Sequence, residues 1–295
     1  MGWRRYDAFP FPWRVGAATH EDHVSVNIDA YFERIGFSGS IAPTLETLNQ
    51  LHALHPAAIP FENLDAMMGV PVRLELKNLE QKLLYDRRGG YGPEINLLFK
   101  ALLEDLDYKV KGVAARVYWN RPDDTEPQPT HLALIVETSG STYLVDVGFG
   151  GMTLTAPIRL RTEMVQETPH GTFRLMDGDP EWALEVLIGE EWKLLYRFAL
   201  QEKTFEDVVA MSDMLAADPM FRQTLRAARI EKDRRLALRN ARLTTRPNDG
   251  PVDTRMIASV EDARNVLSTT FGIALPNNER LDPALEAALA KGGDA

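Results

Sequence analysis

Arg87-Arg88-Gly89-Gly90-Tyr91-Gly92-Pro93-Glu94-Ile95-Asn96, running into Leu97-Leu98-Phe99, is the stretch around which the chain is organised. Paired glycines let a backbone turn tightly or pass close to another surface. Behind them Leu98, Phe99, Leu102, Leu103 and Leu106 recur at spacings of three and four, which predicts a buried helix entered through a glycine loop. Such a loop is a common place for a reactive side chain. Taken alone, Gly-Gly at a helix entrance reads as a structural turn.

On the N-terminal side of this stretch the pattern is helical. Tyr31, Phe32 and Ile35 share a face and Gly36 marks the stop. Thr44 is placed to cap a second helix with leucines at 45, 48 and 51, ended by Pro60. His52 and His55 stand three apart with no third ligand nearby, so they read as solvent-facing or capping histidines rather than metal ligands. Glu62, in a segment of mixed apolar character, calls for a charged partner, because a buried lone carboxylate is costly. Leu79, Leu83 and Leu84 give one more helix, and residues 28–106 read as a helical subdomain.

After Leu106 the period changes. Val110 to Trp119, His131 to Glu137 and Thr142 to Val147 are rich in β-branched and aromatic residues, and Thr138-Ser139-Gly140 signals a hairpin. A turn centred there sets His131 opposite Asp146 or displaced from it by two residues, and either register puts both side chains on one sheet face. Further strands around 172–175, 182–187 and 192–198 complete a small antiparallel barrel or sandwich over 107–203. From Thr204 a helix leads to Ala216-Ala217-Asp218-Pro219. Strand-like pieces at 224–230 and 234–238 and helices at 260–271 and 283–289 then make an α/β closing segment over 204–295. Residues 1–27 read as an irregular arm, broken by Phe9-Pro10-Phe11-Pro12-Trp13.

Composition narrows the classes of function. With 44% apolar and 26% charged residues the chain is of ordinary globular type, and 295 residues suit two or three subdomains. A net charge of −10 argues against nucleic acid or an anionic membrane as partner. No apolar run approaches the ~20 residues of a membrane span, so the expected location is cytoplasmic. The chain contains no cysteine, which excludes disulfides, thiolate metal sites and a thiol nucleophile.

Ile59-Pro60-Phe61-Glu62-Asn63-Leu64, Arg88-Gly89-Gly90-Tyr91, Thr130-His131-Leu132 and Val145-Asp146-Val147-Gly148-Phe149-Gly150 occur in this order and at this spacing. From about Tyr31 to Arg246 the chain closely resembles the arylamine N-acetyltransferase family. The resemblance implies an α+β fold of helical bundle, antiparallel β-barrel and α/β lid on a cysteine-proteinase-like core. It also implies a catalytic pair of His131 and Asp146, and an Arg88 that braces Glu62. Tyr91, Gly148, Phe149 and Gly150 would line the pocket, with Phe149 facing an aromatic substrate. In the family, the residue after Arg-Gly-Gly-aromatic is the cysteine that takes up the acyl group. Here it is Gly92.

Glycine offers no atom with which to attack, so the two-step route through an acyl-enzyme cannot run at this position. The expectation is a divergent acyltransferase, amide- or ring-forming in a biosynthetic pathway, with His131 as general base and Asp146 orienting it. The alternative is a catalytically silent homologue that binds an aryl or acyl ligand or a protein partner. Pro93 removes a further backbone donor from the loop, while Glu94 and Asn96 read as helix-start or packing residues. Ala216 and Ala217 stand where the family commonly carries Ser-Thr, and Asp218 adds a negative charge there, which weakens the case for coenzyme A. Acetyl-CoA or another acyl thioester remains the donor class, with a carrier protein as a possible source. The expected partners are small acyl or aromatic molecules, with no metal.

Overall fold

A computed structural model of the protein describes residues 25–121 and 126–292. Most of the arm expected over 1–27 falls outside them. Asn27 accepts from Ala30 N and starts α1 (Ile28–Ile35), which Gly36 closes at φ 70°. Thr44 accepts from Thr47 N and starts α2 (Leu45–Ala58). β1 (Phe61–Glu62) follows, then α3 (Leu64–Met68) and α4 (Leu76–Glu80), which runs on as a wider turn to Tyr85. α5 (Gly92–Asp105) is the helix behind the glycine loop, and it buries Ile95, Leu98, Phe99, Leu102 and Leu103.

His52 and His55 correct the expectation of surface histidines, because both are fully buried. They lie four and seven residues beyond Leu48 on one face of α2, and that face is turned inward. The Tyr31 hydroxyl meets His55 Nδ1 at 2.5 Å, and His52 Nε2 lies 3.3 Å from Asp146 O and 3.2 Å from Leu154 O. Burial keeps both imidazoles neutral, pulling His52 down to about 4 and His55 to about 3.

β2 (Lys109–Val117), β3 (Pro129–Thr138), β4 (Ser141–Val145), β5 (Ile158–Arg159), β6 (Val165–Thr168), β7 (Gly171–Gly178), β8 (Glu181–Ile188) and β9 (Glu191–Glu202) form one antiparallel sheet. Their order is β5-β4-β3-β2-β9-β8-β7-β6, and the sheet curls into a nearly closed barrel. Alternation divides its strands between two cores. Ala133, Ile135 and Leu144 point inward with Phe173, Leu184 and Phe198, while Leu132, Leu134, Val136 and Val145 pack outward with the helices.

α6 (Phe205–Ala217) and the short α7 (Pro219–Arg222) lead into β10 (Arg226–Glu231), β11 (Arg234–Arg239), β12 (Arg242–Pro247) and β13 (Asp253–Met256). α8 (Val260–Asn265), which continues as a wider turn to Thr270, and α9 (Leu281–Leu289) follow. The sheet order is β1-β10-β11-β12-β13, so the edge strand comes from the helical region beside the glycine loop. Ala227, Leu236, Leu238 and Leu243 cover one face of this sheet and pack with Leu267, Phe271 and Leu285. The opposite face carries arginines. No helix among the described residues is long and apolar enough to cross a membrane.

Candidate active site

The glycine loop is threaded along β1. Glu62 N donates to Gly90 O at 2.8 Å and Gly90 N to Pro60 O at 3.3 Å. A Cβ on Gly89 would lie 2.2 Å from Pro60 O, so only glycine fits this approach. Tyr91 then begins α5, with its N–H donating to Glu94 Oε2 at 3.0 Å. Pro93 sits in the first helical turn, where its missing N–H costs no helical hydrogen bond. The Tyr91 ring is buried edge-on to Phe221 at 5.4 Å, and its hydroxyl meets Ser212 Oγ at 2.6 Å.

A buried charge network fixes the loop from below. Arg88 donates through Nε and Nη2 to Glu62 Oε1, at 2.9 and 2.7 Å, and through Nη2 to Asp65 Oδ1 at 2.9 Å. Lys82 Nζ bridges Asp65 Oδ2 at 2.6 Å and Glu94 Oε1 at 2.7 Å. Burial pulls the Lys82 ammonium down, but Glu94, Glu62 and Asp65 outweigh it and hold the group above its ordinary range. Burial raises the Glu94 carboxyl despite its contact with Lys82.

Above the loop stands the imidazole. The observed β3–β4 register pairs Leu134 with Val145 and turns at Ser139 and Gly140, which have φ of 51° and 70°. Continued, it leaves Asp146 two residues off His131. His131 Nε2 lies 2.7 Å from Asp146 Oδ2. Asp146 Oδ1 accepts from Asn96 Nδ2 at 2.9 Å and from Gly148 N at 3.0 Å. Asp146 is fully buried, which raises its carboxyl, but His131 and the donors Asn96 and Gly148 outweigh burial and hold it below the ordinary carboxylate range. An ionised Asp146 assigns the proton of neutral His131 to Nε2 and leaves Nδ1 as the bare nitrogen.

Nδ1 points at Gly92. A Cβ built on Gly92 would lie 2.5 Å from Nδ1, 3.0 Å from Cε1 and 3.3 Å from Gly148 O. The imidazole thus occupies the space that a side chain at 92 would need, and no serine or threonine oxygen is among the atoms nearest that point. Ser139 and Ser141 lie at the far end of the hairpin, where Ser141 Oγ accepts from Arg159. Phe149 and Tyr196 flank the imidazole, with ring centroids 5.3 and 5.4 Å away. Gly150, at φ 88°, carries the turn past Phe61.

Two residues of this site escaped the sequence reading. Asn96, read as helix-start or packing, holds Asp146 and also donates to Leu132 O at 2.7 Å and accepts from Val147 N at 3.1 Å. The available signal was its position four residues past Gly92, on the same helix face. Tyr196 gave no signal. Its buried hydroxyl has no hydrogen-bond partner among the described residues, and burial with the nearby Asp146 carboxylate pushes it well above its ordinary range. Asp218, expected near a donor's phosphates, caps α7 by accepting from Met220 N and Phe221 N. Among the described residues no group of three or more His, Asp and Glu could hold a metal ion.

The N-acetyltransferase family profile matches residues 44–280. The chain is 37% identical over 251 residues to an arylamine N-acetyltransferase of Escherichia coli, covering 84% of this chain and 89% of that one. It belongs to the arylamine N-acetyltransferase family. A Mycobacterium tuberculosis arylamine N-acetyltransferase is 38% identical over 283 residues, covering 92% of this chain and all of its own. The Mycobacterium marinum arylamine N-acetyltransferase in complex with CoA superposes with a TM-score of 0.84 at 37% identity, over 90% of this chain and 99% of that one. Within this arylamine N-acetyltransferase fold the chain carries glycine at position 92 and no cysteine anywhere.

Proposed function

We propose that the protein is an acyltransferase that moves an acyl group from a thioester to an amine in one step, without a covalent enzyme intermediate. The observation that carries this reading is the orientation of His131, whose Nδ1 is turned toward Gly92, a residue without a side chain, while Nε2 is anchored to Asp146. An amine nitrogen entering beside Nδ1 attacks the thioester carbonyl, and Nδ1 takes the proton that the nitrogen sheds. The carbon–sulfur bond then breaks, and the thiolate leaves with that proton returned from the imidazolium. A thioester is activated enough for this direct route, and binding both reactants supplies the orientation that a covalent step would otherwise provide. Asp146 stabilises the imidazolium, and Asn96 holds Asp146 in place. The chemistry suits amide or ring formation in a biosynthetic pathway, with the thioester carried by coenzyme A or a carrier protein.

The test is single-turnover acyl transfer from acetyl-CoA to a simple arylamine, with protein mass followed in parallel. Amide should form while the protein keeps its unmodified mass, and His131→Gln should lower the rate about 10²–10⁴-fold. An unchanged rate in His131→Gln sinks the proposal. Binding of both substrates with no amide formed by the natural protein identifies it as a binding homologue.

A further inference from the structure

The Asp146 carboxylate stands at the neck of a loop. β4 ends at Val145 and β5 begins at Ile158, so residues 146–157 run between the two strands. This loop brings Phe149 beside the His131 ring, and its buried backbone groups need partners of their own. Two donors reach the Asp146 carbonyl. Thr153 Oγ1 donates to it at 2.9 Å from within the loop and accepts from Phe149 N at 3.3 Å. The other donor comes from the helical bundle. His52 Nε2, on α2, lies 3.3 Å from Asp146 O and 3.2 Å from Leu154 O. One imidazole therefore joins the entry and the exit of the loop.

His52 can do this in one form. Both neighbours of Nε2 are carbonyl oxygens, which only accept, so Nε2 carries the proton and Nδ1 is bare. Nδ1 is buried without a hydrogen-bond partner among the described residues. An aliphatic side chain would avoid that cost, as Leu48 does one turn earlier on the same face of α2. It could not hold the carbonyls at both ends of the loop. His55, three residues on, is committed to the Tyr31 hydroxyl at 2.5 Å instead. Burial pulls His52 down to about 4, so the imidazole stays neutral and its donor stays in place around neutral pH.

We infer that His52 is a positioning residue for the proposed base: by closing the neck of the 146–154 loop it sets the Asp146 carboxylate against His131 Nε2 and Phe149 beside the ring. Its hold complements that of Asn96. α5 fixes the Asp146 side chain through Asn96 Nδ2 at 2.9 Å, while α2 fixes the main chain from which that side chain springs. With the neck released, the carboxylate still has Asn96 Nδ2 and Gly148 N but no longer a fixed distance from Nε2. A misplacement of about 1 Å is enough to cost about a hundredfold in rate.

The inference rests on the proposed transfer for its kinetic consequence, but its first reading is magnetic resonance of the full chain, isotope-labelled at its histidines, which needs no substrate. In the natural protein His52 should carry its proton on Nε2; a proton on Nδ1 overturns the inference without any variant. His52→Gln places an amide N–H near the position of the imidazole Nε2, and His52→Asn places it near that of Nδ1, short of both carbonyls. The His131 Nε2–H resonance, moved downfield by the bond to Asp146, should persist in His52→Gln and be lost or moved upfield in His52→Asn. Tyr31→Phe, which takes the partner from His55 in the same core, should leave it unchanged. If His52→Asn keeps the resonance, or Tyr31→Phe loses it as well, His52 serves packing alone and the inference falls. In steady-state acyl transfer, His52→Asn should lower kcat about ten- to a hundredfold with KM within about twofold, and His52→Gln should recover most of the loss. An unchanged kcat in His52→Asn overturns the inference. A natural protein inactive on every amine refutes the transferase reading and leaves the resonance to decide this one.

Discussion

Gly92→Ala adds one methyl group at the point where the site is tightest. That carbon would lie 2.5 Å from His131 Nδ1, about 0.9 Å inside an ordinary contact. The imidazole cannot retreat along its own length, because Nε2 already lies 2.7 Å from Asp146 Oδ2. Phe149 and Tyr196 obstruct it on its flanks. Overpacking of this kind costs about 1–3 kcal/mol. Against it, alanine is favoured over glycine in a helix by about 0.5–1 kcal/mol. The difference is a loss of up to about 2.5 kcal/mol, which for 295 residues at about 2.1 cal/mol/K each is a fall of up to about 4 °C in melting temperature. Urea unfolding of the natural protein, Gly92→Ala, His131→Ala and the double variant separates the two terms. With the imidazole removed, the added methyl should be neutral or stabilising, giving a coupling of about 1–3 kcal/mol. Gly92→Ala stabilising both backgrounds equally would refute the view that His131 fills the space at 92.

Asn96→Ala should lower stability by about 1–3 kcal/mol in urea unfolding, since it removes a donor to Asp146 and leaves Val147 N unpaired; acyl transfer should fall with it. Arg88→Met strips buried Glu62 of its partner and should cost about 3–5 kcal/mol, while the double variant Glu62→Leu/Arg88→Met should recover part of the loss. The pH dependence of melting should show the two buried histidines. Their folded values, about 4 for His52 and about 3 for His55, lie below the ordinary 6.5. The unfolded chain therefore takes up protons first as pH falls, so the stability these groups contribute is present above pH 6.5 and lost below it. The slope is up to about 1.4 kcal/mol per pH unit for each imidazole down to pH 4. A flat melting profile between pH 6.5 and 4.5 would count against neutral burial.

Where the sequence carried a strong period, it predicted the elements well. The leucines of α5, the Thr44 cap and the Ser139-Gly140 turn are local signals, and a local turn was enough to bring His131 within reach of Asp146. What it could not show came from long-range packing. His52 and His55 look polar in isolation, and their burial is decided by the barrel residues Asp146 and Leu154, 94 and 102 positions away from His52. β12 and β13 escaped notice because Arg242–Pro247 and Asp253–Met256 lack apolar alternation; one face of that sheet is arginine rather than hydrocarbon. Tyr196 arrives from β9, a strand whose pairing with β2 is interrupted by a shift in register that no short-range pattern announces.

The glycine at 92 is therefore more than a missing thiol. Its backbone lies against Gly148, where a Cβ would come within 3.0 Å of Gly92 O and 2.9 Å of Asn96 Nδ2. The loop, the imidazole and the Gly148 turn have closed over one another, and a side chain restored at 92 would press on His131 and Gly148 together. Gly92→Cys carries the same Cβ as the alanine variant, so it should lose similar stability. It can accept an acyl group only by first displacing the base that would activate it. Under the proposed one-step route the site works with an imidazole whose Nε2 is held by Asp146 and whose Nδ1 is turned toward Gly92. That proposed route takes a proton from a bound amine and requires no atom at position 92.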